Sequence, residues 1–455
     1  MIIKSDLQKK PIFIALLLIT SALVFSPIRV SEAATIGDLL IGGTLCNLNT
    51  PSDSSGVVPA FNGICSTLIT GTEAEQKQLQ KTLSPTHIFA MSDLGFANAK
   101  YQVNNIRKRI VSLRLGRKGF YSFGLLDLDF YQPTNGTDAS KVAFNDTLNL
   151  HNAHGGAAGA DVQLGSKRLG YFVGGNLGVG HKSLTDLEDA YDYNALGLTG
   201  GIDYRVAKYA IIGAALGYNY SNLDIQGYNG NPGGDIDDSA FSLSLYGTAF
   251  TKVDFYIDTI VTYNSHGYDV ARVVDYSTSI KPAMETSNSS PDSDTLTISA
   301  EFGYEFFARR GFTIVGLIRG EYYRNNISEH DENNADTSLH IDSFSSEELN
   351  TQIGAQFTYA MTGFGGIVIP QLDIVWVDER INDINSVDSY LLNDPTQSTF
   401  TSTANEPDPR YWKWGVGATS ILSAGKIIYL YFESTVDKDY VSDYNTSLGI
   451  RMEFH

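Results

Sequence analysis

The chain has 455 residues, a formal net charge of −19, 26 Tyr, 23 Phe, 43 Gly and only two Cys. That acidity excludes a nucleic-acid partner, because the phosphate backbone would be repelled and no basic patch with interleaved aromatics offsets it. Two thiols with no nearby histidine supply too few ligands for a metal centre, and no cofactor is expected.

Residues 1–33 read as a cleaved secretory signal peptide. Lys4, Lys9 and Lys10 form a basic start, residues 12–25 an apolar run, and Ser31-Glu32-Ala33 sets small residues where a signal peptidase reads. The run is too short to span a bilayer, and no later stretch reaches the roughly 18 apolar residues that a spanning helix needs. Residues 34–84 read as a short, loop-rich N-terminal segment with a polar helical piece near 73–82. Cys46 and Cys65 lie in it and are expected to pair as one disulfide in an oxidising compartment. Residues 85–117 read as a helix. Ser84 is its cap, Pro85 takes the first helical position, Val103, Ile106, Ile110 and Leu113 recur at helical spacing, and Gly116 offers a stop. Residues 118–166 read as a connector with one strand-like piece at 120–130.

Over residues 167–455 the hydrophobic period becomes two. Residues 241–249, FSLSLYGTA, alternate cleanly, as do 296–306 and 444–454. Such runs fall near 167–181, 191–206, 208–222, 238–250, 253–267, 294–308, 312–326, 347–360, 365–379, 410–422, 426–436 and 441–454. Each is close to the ~9–11 residues that a tilted strand needs to cross a bilayer. Tight turns at 207, 251–252, 309–311, 361–363 and 423–425 alternate with long polar excursions at 222–237, 267–293, 325–346 and 380–409. A closed barrel with both chain ends on one side sorts its connections this way, whereas a soluble sandwich has no reason to. The expected fold class is all-β: a transmembrane antiparallel β-barrel of about 12 strands with an N-terminal α-helix plugging the lumen.

If the apolar side of each strand meets lipid, the other side lines the lumen. It then carries an acidic wall: Asp254, Asp258, Glu301, Glu305, Glu321, Asp373, Glu433 and Glu453, opposed within those runs only by Arg319 and Arg451. The preceding helix carries the complement. Lys100, Arg107 and Arg114 lie seven apart in one stripe, with Lys108, Arg109, Arg117 and Lys118 nearby. The pattern predicts a basic helix threading the lumen and pairing with the wall through charge-assisted hydrogen bonds. Trp412, Trp414, Tyr218, Tyr220, Tyr304 and Tyr359 read as outward anchors at the lipid–water interfaces. His151 and His154 read as solvated, and the acidic run 330–336 as a solvated surface loop lacking a calcium pattern.

Several stretches together resemble the translocator unit of autotransporters (type V secretion). They are residues 83–85, Leu-Ser-Pro, and 102–114, QVNNIRKRIVSLR, for the helix. In the barrel they are Tyr204 with the following hairpin, 242–248, 370–376, 393–395, 406–410 and the closing 449–454. The resemblance spans about residues 83–455. It implies a barrel inserted in the outer membrane of a Gram-negative cell, assembled by the barrel-assembly machinery with periplasmic chaperones, that helps its own N-terminal passenger reach the surface. Phe454 would be the C-terminal assembly signal, although His455 follows it. Some relatives carry a lipase passenger, but Gly37-Asp38-Leu39-Leu40 lacks the serine of that block, and no other nucleophile–base set is found.

The expected function is therefore an outer-membrane translocator-type barrel with a very short passenger and surface-displayed acidic loops. It would be monomeric, in contact with outer-membrane lipid, with no assigned surface ligand and no enzymatic activity. A small-solute or cation pore and a surface adhesin acting through the long loops are the alternatives.

Overall fold

In the computed structural model the described residues are 59–125 and 169–452, apart from 228–231, 252–253, 276–283, 364–365, 382–385, 395–396, 406–408 and 423–426. The signal segment, Cys46, His151, His154, Glu453 and Phe454 lie outside them.

Three helices lead the chain: α1 (Pro59–Thr70), α2 (Glu73–Leu83) and α3 (His87–Leu125). Thr72 and Glu75 form a reciprocal capping box that starts α2. The 39-residue α3 runs through Gly116, which was read as a stop, and through Phe120–Leu125, read as the start of a strand. A lone glycine costs a helix only about 1 kcal/mol, and a short apolar run does not distinguish helix from strand. The helical α1 was likewise not apparent in the loop-rich reading of 34–84.

Twelve antiparallel strands follow: β1 (Leu169–Lys182), β2 (Ala190–Ala207), β3 (Ala210–Gln226), β4 (Pro232–Phe250), β5 (Phe255–Asp275), β6 (Asp292–Arg309), β7 (Phe312–Ile327), β8 (Phe344–Tyr359), β9 (Gly366–Ile381), β10 (Arg410–Leu422), β11 (Ile427–Val436) and β12 (Val441–Met452). Each pairs with its sequence neighbour, and β1 pairs with β12 from Tyr171–Met452 to Lys182–Val441, so the barrel is closed. Closure leaves no unpaired edge in the hydrocarbon layer, where an unsatisfied peptide group is costly. Leu, Ile and Phe side chains such as Leu216, Phe241, Leu245 and Leu430 face outward on alternate positions, and polar ones face the lumen. Tyrosines on the lumen side lie flat over glycines of a neighbouring strand. A Cβ added to Gly303 would meet the Tyr256 ring, and one at Gly415 would meet Tyr431.

The excursion read at 222–237 is mostly ladder, because β3 and β4 continue as a hairpin to Gln226 and Pro232. Strand β5 likewise extends to Asp275 and takes Met284–Ser289 as a partner. Two of the long excursions interlock. Segments Phe400–Thr403, Ser386–Leu391, Leu339–Ile341 and His330–Asp331 form a separate four-stranded antiparallel sheet at the long-loop end. Ladder hydrogen bonds between excursions satisfy backbone groups that a polar sequence leaves open to water.

The largest apolar core of the described residues is at that end. Ile64, Leu68, Leu79, Leu83, Ile88 and Met91 of the helices pack with Ile225, Ile236, Val274, Leu339, Val387 and Phe400. Helices α1 and α2, the start of α3 and the loop sheet thus form one cap, and Cys65, buried in α1, is disulfide-bonded. Truncating Leu83 to Ala should cost about 2–5 kcal/mol of cap stability. Protease should then cut the cap while the barrel keeps its heat-sensitive mobility on a detergent gel; simultaneous loss of both would show that cap and barrel fold as one unit.

Candidate functional site: the plugged lumen

Helix α3 is two-faced inside the barrel. Its apolar stripe, Val103, Ile106 and Ile110, packs on Phe172, Ala215, Tyr246 and Ile260 of β1, β3, β4 and β5, and Leu113 meets Ile211. The helix therefore leans on the β1–β7 wall; its arginines pair with carboxylates of that wall, and Lys100 and Lys108 reach β8 and β9.

Each cation of the stripe meets carboxylates. Lys100 Nζ lies 2.7 Å from Glu348 Oε1. Arg107 donates to Glu321 and lies 3.9 Å from Glu301. Arg114 donates to Asp258 and lies 3.7 Å from Glu301, with its guanidinium over the Tyr256 ring. Glu301 is the hub: Arg319 donates to it at 2.6 Å and the Tyr256 hydroxyl at 2.8 Å. Two flanking cations are also used. Arg109 donates to Asp203, and Lys108 reaches across to Asp373 at 3.4 Å with its ammonium over the Tyr431 ring. All these carboxylates are buried, so each cation removes a charge that would otherwise be stranded in a poorly screened space. Deleting one partner of such a pair costs about 3–5 kcal/mol.

Of the acidic wall read from the sequence, Asp258, Glu301, Glu321 and Asp373 line the lumen. Glu433 is half-buried there and accepts from Asn104 at 3.4 Å. Asp254 does not belong to it. Asp254 is exposed in the β4–β5 turn with φ 66°, because β5 begins one residue later. Glu305 precedes the register shift in β6, pairs with buried Val315 and keeps the face of Glu301; it is half-buried near the short-turn end, where its backbone N–H donates to Asp254 O at 3.0 Å.

Asp203 and Glu348 were missed. Both lie inside runs already read, 191–206 and 347–360; outward Ile202 and Tyr204 flank Asp203, and outward Leu349 follows Glu348, so applying the alternation throughout each run would have found both. The buried set in which Asp238 faces His266 at 3.0 Å and Thr295 lies 3.2 Å from the other ring nitrogen was missed too. Asn98 of α3 closes over it, donating to Asp238 at 2.7 Å, so it is a packed lumen contact.

The top of α3 is held by the cap. Arg272 forms a fork with Glu332 at 2.7 and 2.5 Å and donates to Thr82 O. Lys81 binds Asp189 at 3.1 Å. Lys182 bridges Asp93 and Glu188 at 2.8 and 2.9 Å. Glu332, read as part of a solvated loop, is buried because Arg272 compensates its charge.

His87, the first residue of α3, is 3% exposed with neither ring nitrogen hydrogen-bonded. Burial holds it neutral and pulls its pKa down to about 3; Glu332 opposes that, while Arg272 and His330 add to it. Burial pushes Glu332 up, but Arg272 more than offsets this and leaves it below the usual carboxylate range.

Two outcomes follow from these contacts. Changing Lys100, Arg107 and Arg114 together to Glu sets anions against Glu348, Glu321 and Asp258. It should expel the helix and raise single-channel conductance severalfold in planar bilayers; an unchanged conductance would sink the ion-pair lock. The cap should loosen in acid. Unfolded His87 takes a proton near its ordinary pKa of about 6.5, so below that pH the folded cap binds fewer protons than the unfolded one. Stability that is full at neutral pH then falls as the pH drops toward about 3. Glu332 adds its loss in the lower part of that window. Protease digestion of the cap should accelerate between pH 7 and pH 4, and His87→Leu should flatten the upper part of that profile.

Comparison with known proteins gives a consistent family. The autotransporter β-domain family matches residues 172–433. Among solved structures, the chain is similar to the translocator domain of the autotransporter NalP from Neisseria meningitidis. Identity there is 12%, over 69% of this chain and 98% of that one, with a TM-score of 0.49. It is also similar to the β-domain of the Bordetella autotransporter Brka, at 17% identity over 63% and 100% of the two chains and a TM-score of 0.46. For the transport unit of the autotransporter AIDA-I from Escherichia coli the values are 11%, 65%, 93% and 0.46. No curated protein sequence matches the chain.

Proposed function

Because the chain belongs to the autotransporter family, matching its β-domain over most of the barrel, we propose that this outer-membrane barrel delivers its own N-terminal segment to the cell surface and keeps it there as a cap. The observation that carries the reading is the path of α3. Strand β1 starts and β12 ends at the short-turn end of the barrel, where the turns 208–209 and 310–311 also lie. Arg114, near the far end of the described ion pairs, meets Asp258 close to the β4–β5 turn at that same end. The start of α3 packs instead with the long loops. The helix therefore crosses the lumen, and α1 and α2 sit at the opposite mouth from the barrel termini. Outer-membrane barrels keep short turns in the periplasm and long loops outside, which supports a surface position for the cap and the acidic loops. The passenger position is filled by α1, α2 and the segment before them, stapled through Cys65, with Cys46 as its expected partner. The barrel-assembly machinery, periplasmic chaperones and a cleaved signal peptide would bring the chain there.

A second reading, a small-solute pore, has one observation in its favour. A polar cleft lined by Lys108, Arg319, Lys413, Asp373 and Glu433 runs beside α3 toward β8–β11. Ion flux through the intact, capped protein in planar bilayers separates the two: the pore reading requires steady current with the helix in place.

The surface reading is checked with epitope tags. A tag placed ahead of Pro59 should bind antibody on intact cells, and one inserted after Arg310 should bind only after the outer membrane is opened. The reverse pattern would overturn the proposed export.

A further inference from the structure

We propose that the β6–β7 hairpin tip is a binding site for an anionic phospholipid of the leaflet facing the short-turn end, with Arg309 and Arg310 on the phosphate and Phe306, Phe307 and Phe312 among the acyl chains. Three independent features of the hairpin converge on this. First, the register shift between Glu305 and Phe307 inserts one residue into β6. Consecutive side chains on a regular strand face opposite sides, yet Phe306 and Phe307 are 61% and 44% exposed. Bulges re-aim side chains in this way. The two rings reach lipid together, and Phe307 meets Phe312 edge-on at 6.1 Å. Tyr359, paired in register with Phe312, is also outward and widens the aromatic surface.

Second, the turn beyond the rings is a two-residue loop in which Arg310 has φ 53° and Gly311 φ 81°. Both positions of such a turn need the left-handed region, where Asn, Asp or Gly is the usual choice at the first one. An arginine there is strained, and strain kept at an exposed position marks a functional demand on that side chain. Third, both arginines are exposed, and among the described residues neither forms an ion pair or a side-chain hydrogen bond. Of the carboxylates at this end, Asp254 lies in the β4–β5 turn and Glu305 in β6, where its backbone N–H donates to Asp254 O.

The partner follows from the chemistry. A guanidinium fork fits a phosphate bidentately. Aromatic side chains settle at the depth of lipid head groups. The opposite end could not serve: on its exposed strands Asp224 faces Asp235 and Asp237 faces Asp269 directly across the ladder. A chain of net charge −19 has thus placed two unpaired arginines beside three phenylalanines at the one rim where an anionic head group meets no row of carboxylates.

The test uses the purified full chain and native mass spectrometry with phosphatidylglycerol or phosphatidylcholine at matched concentration. The wild type should retain phosphatidylglycerol at least about threefold over phosphatidylcholine. The double change Arg309→Gln with Arg310→Gly should bring the ratio close to one. Glycine suits the left-handed turn, and unchanged heat-sensitive gel mobility would verify that this variant is folded. Lys208→Gln, in another turn of the same rim, should keep the preference. Glycerol 3-phosphate, the head group without chains, should displace the lipid poorly. No preference in the wild type, an undiminished preference in the double variant, or full displacement by glycerol 3-phosphate would each overturn the site.

Discussion

The structure depends on charge neutralisation between α3 and the lumen wall. A twelve-stranded barrel with polar residues facing inward has two ways to satisfy them, a column of water or a complementary solid. Here the solid is a helix from the same chain. Carboxylates on β2, β5, β6, β7, β8 and β9 face six cations counting Arg319, and Glu301 is shared by three arginines. Neither half is stable as drawn without the other, since a buried charge without its partner costs several kcal/mol. The helix also has to be oriented, and its apolar stripe does that by seating on Phe172, Tyr246 and Ile260. Nonpolar contact sets the rotation of the helix, and charge sets its depth.

The apolar core is displaced from where a soluble protein would carry it. Inside the barrel the apolar contacts are small clusters, whereas the largest one lies in the cap, among α1, α2, the top of α3 and residues from the long loops. This follows from the bilayer: greasy residues of the strands are already used outward against lipid, so the lumen stays polar and the remaining apolar residues gather above the membrane. The helix is thus held along its length by ion pairs and at its top by hydrophobic packing, two interactions with different responses to acid. The ion pairs in the lumen hold their charges close together, while the cap depends on a buried neutral histidine and on an Arg272–Glu332 fork.

Departures from the alternating pattern are few, and they fall near strand ends. At residues 305–307 the register shift exposes two rings together beside a strained arginine turn. At the long-loop end the strands continue past the bilayer as hairpins, carry facing carboxylates outward and cover the cap on their inner side.

Much of this was legible in the sequence. The period of two, the sorting of turns into short and long, and a helix with one apolar and one basic stripe are local patterns, set by side-chain spacing along a strand or helix. They were enough to place twelve strands, to name Lys100, Arg107 and Arg114, and to assign Asp258, Glu301, Glu321 and Asp373 to the lumen. Only the tertiary structure decided which carboxylate meets which cation, because strand tilt and stagger around a closed barrel, and not position within one strand, bring Glu348 level with Lys100 and Asp203 level with Arg109. It alone decided that Leu339, Val387 and Phe400, isolated apolar residues in polar loops, form a core with α1 and α2. It also decided that Phe307 turns outward beside Phe306, since one inserted residue changes the side that every later residue faces. A periodic pattern records which way a side chain points, and only closure of the barrel around the helix determines what it points at.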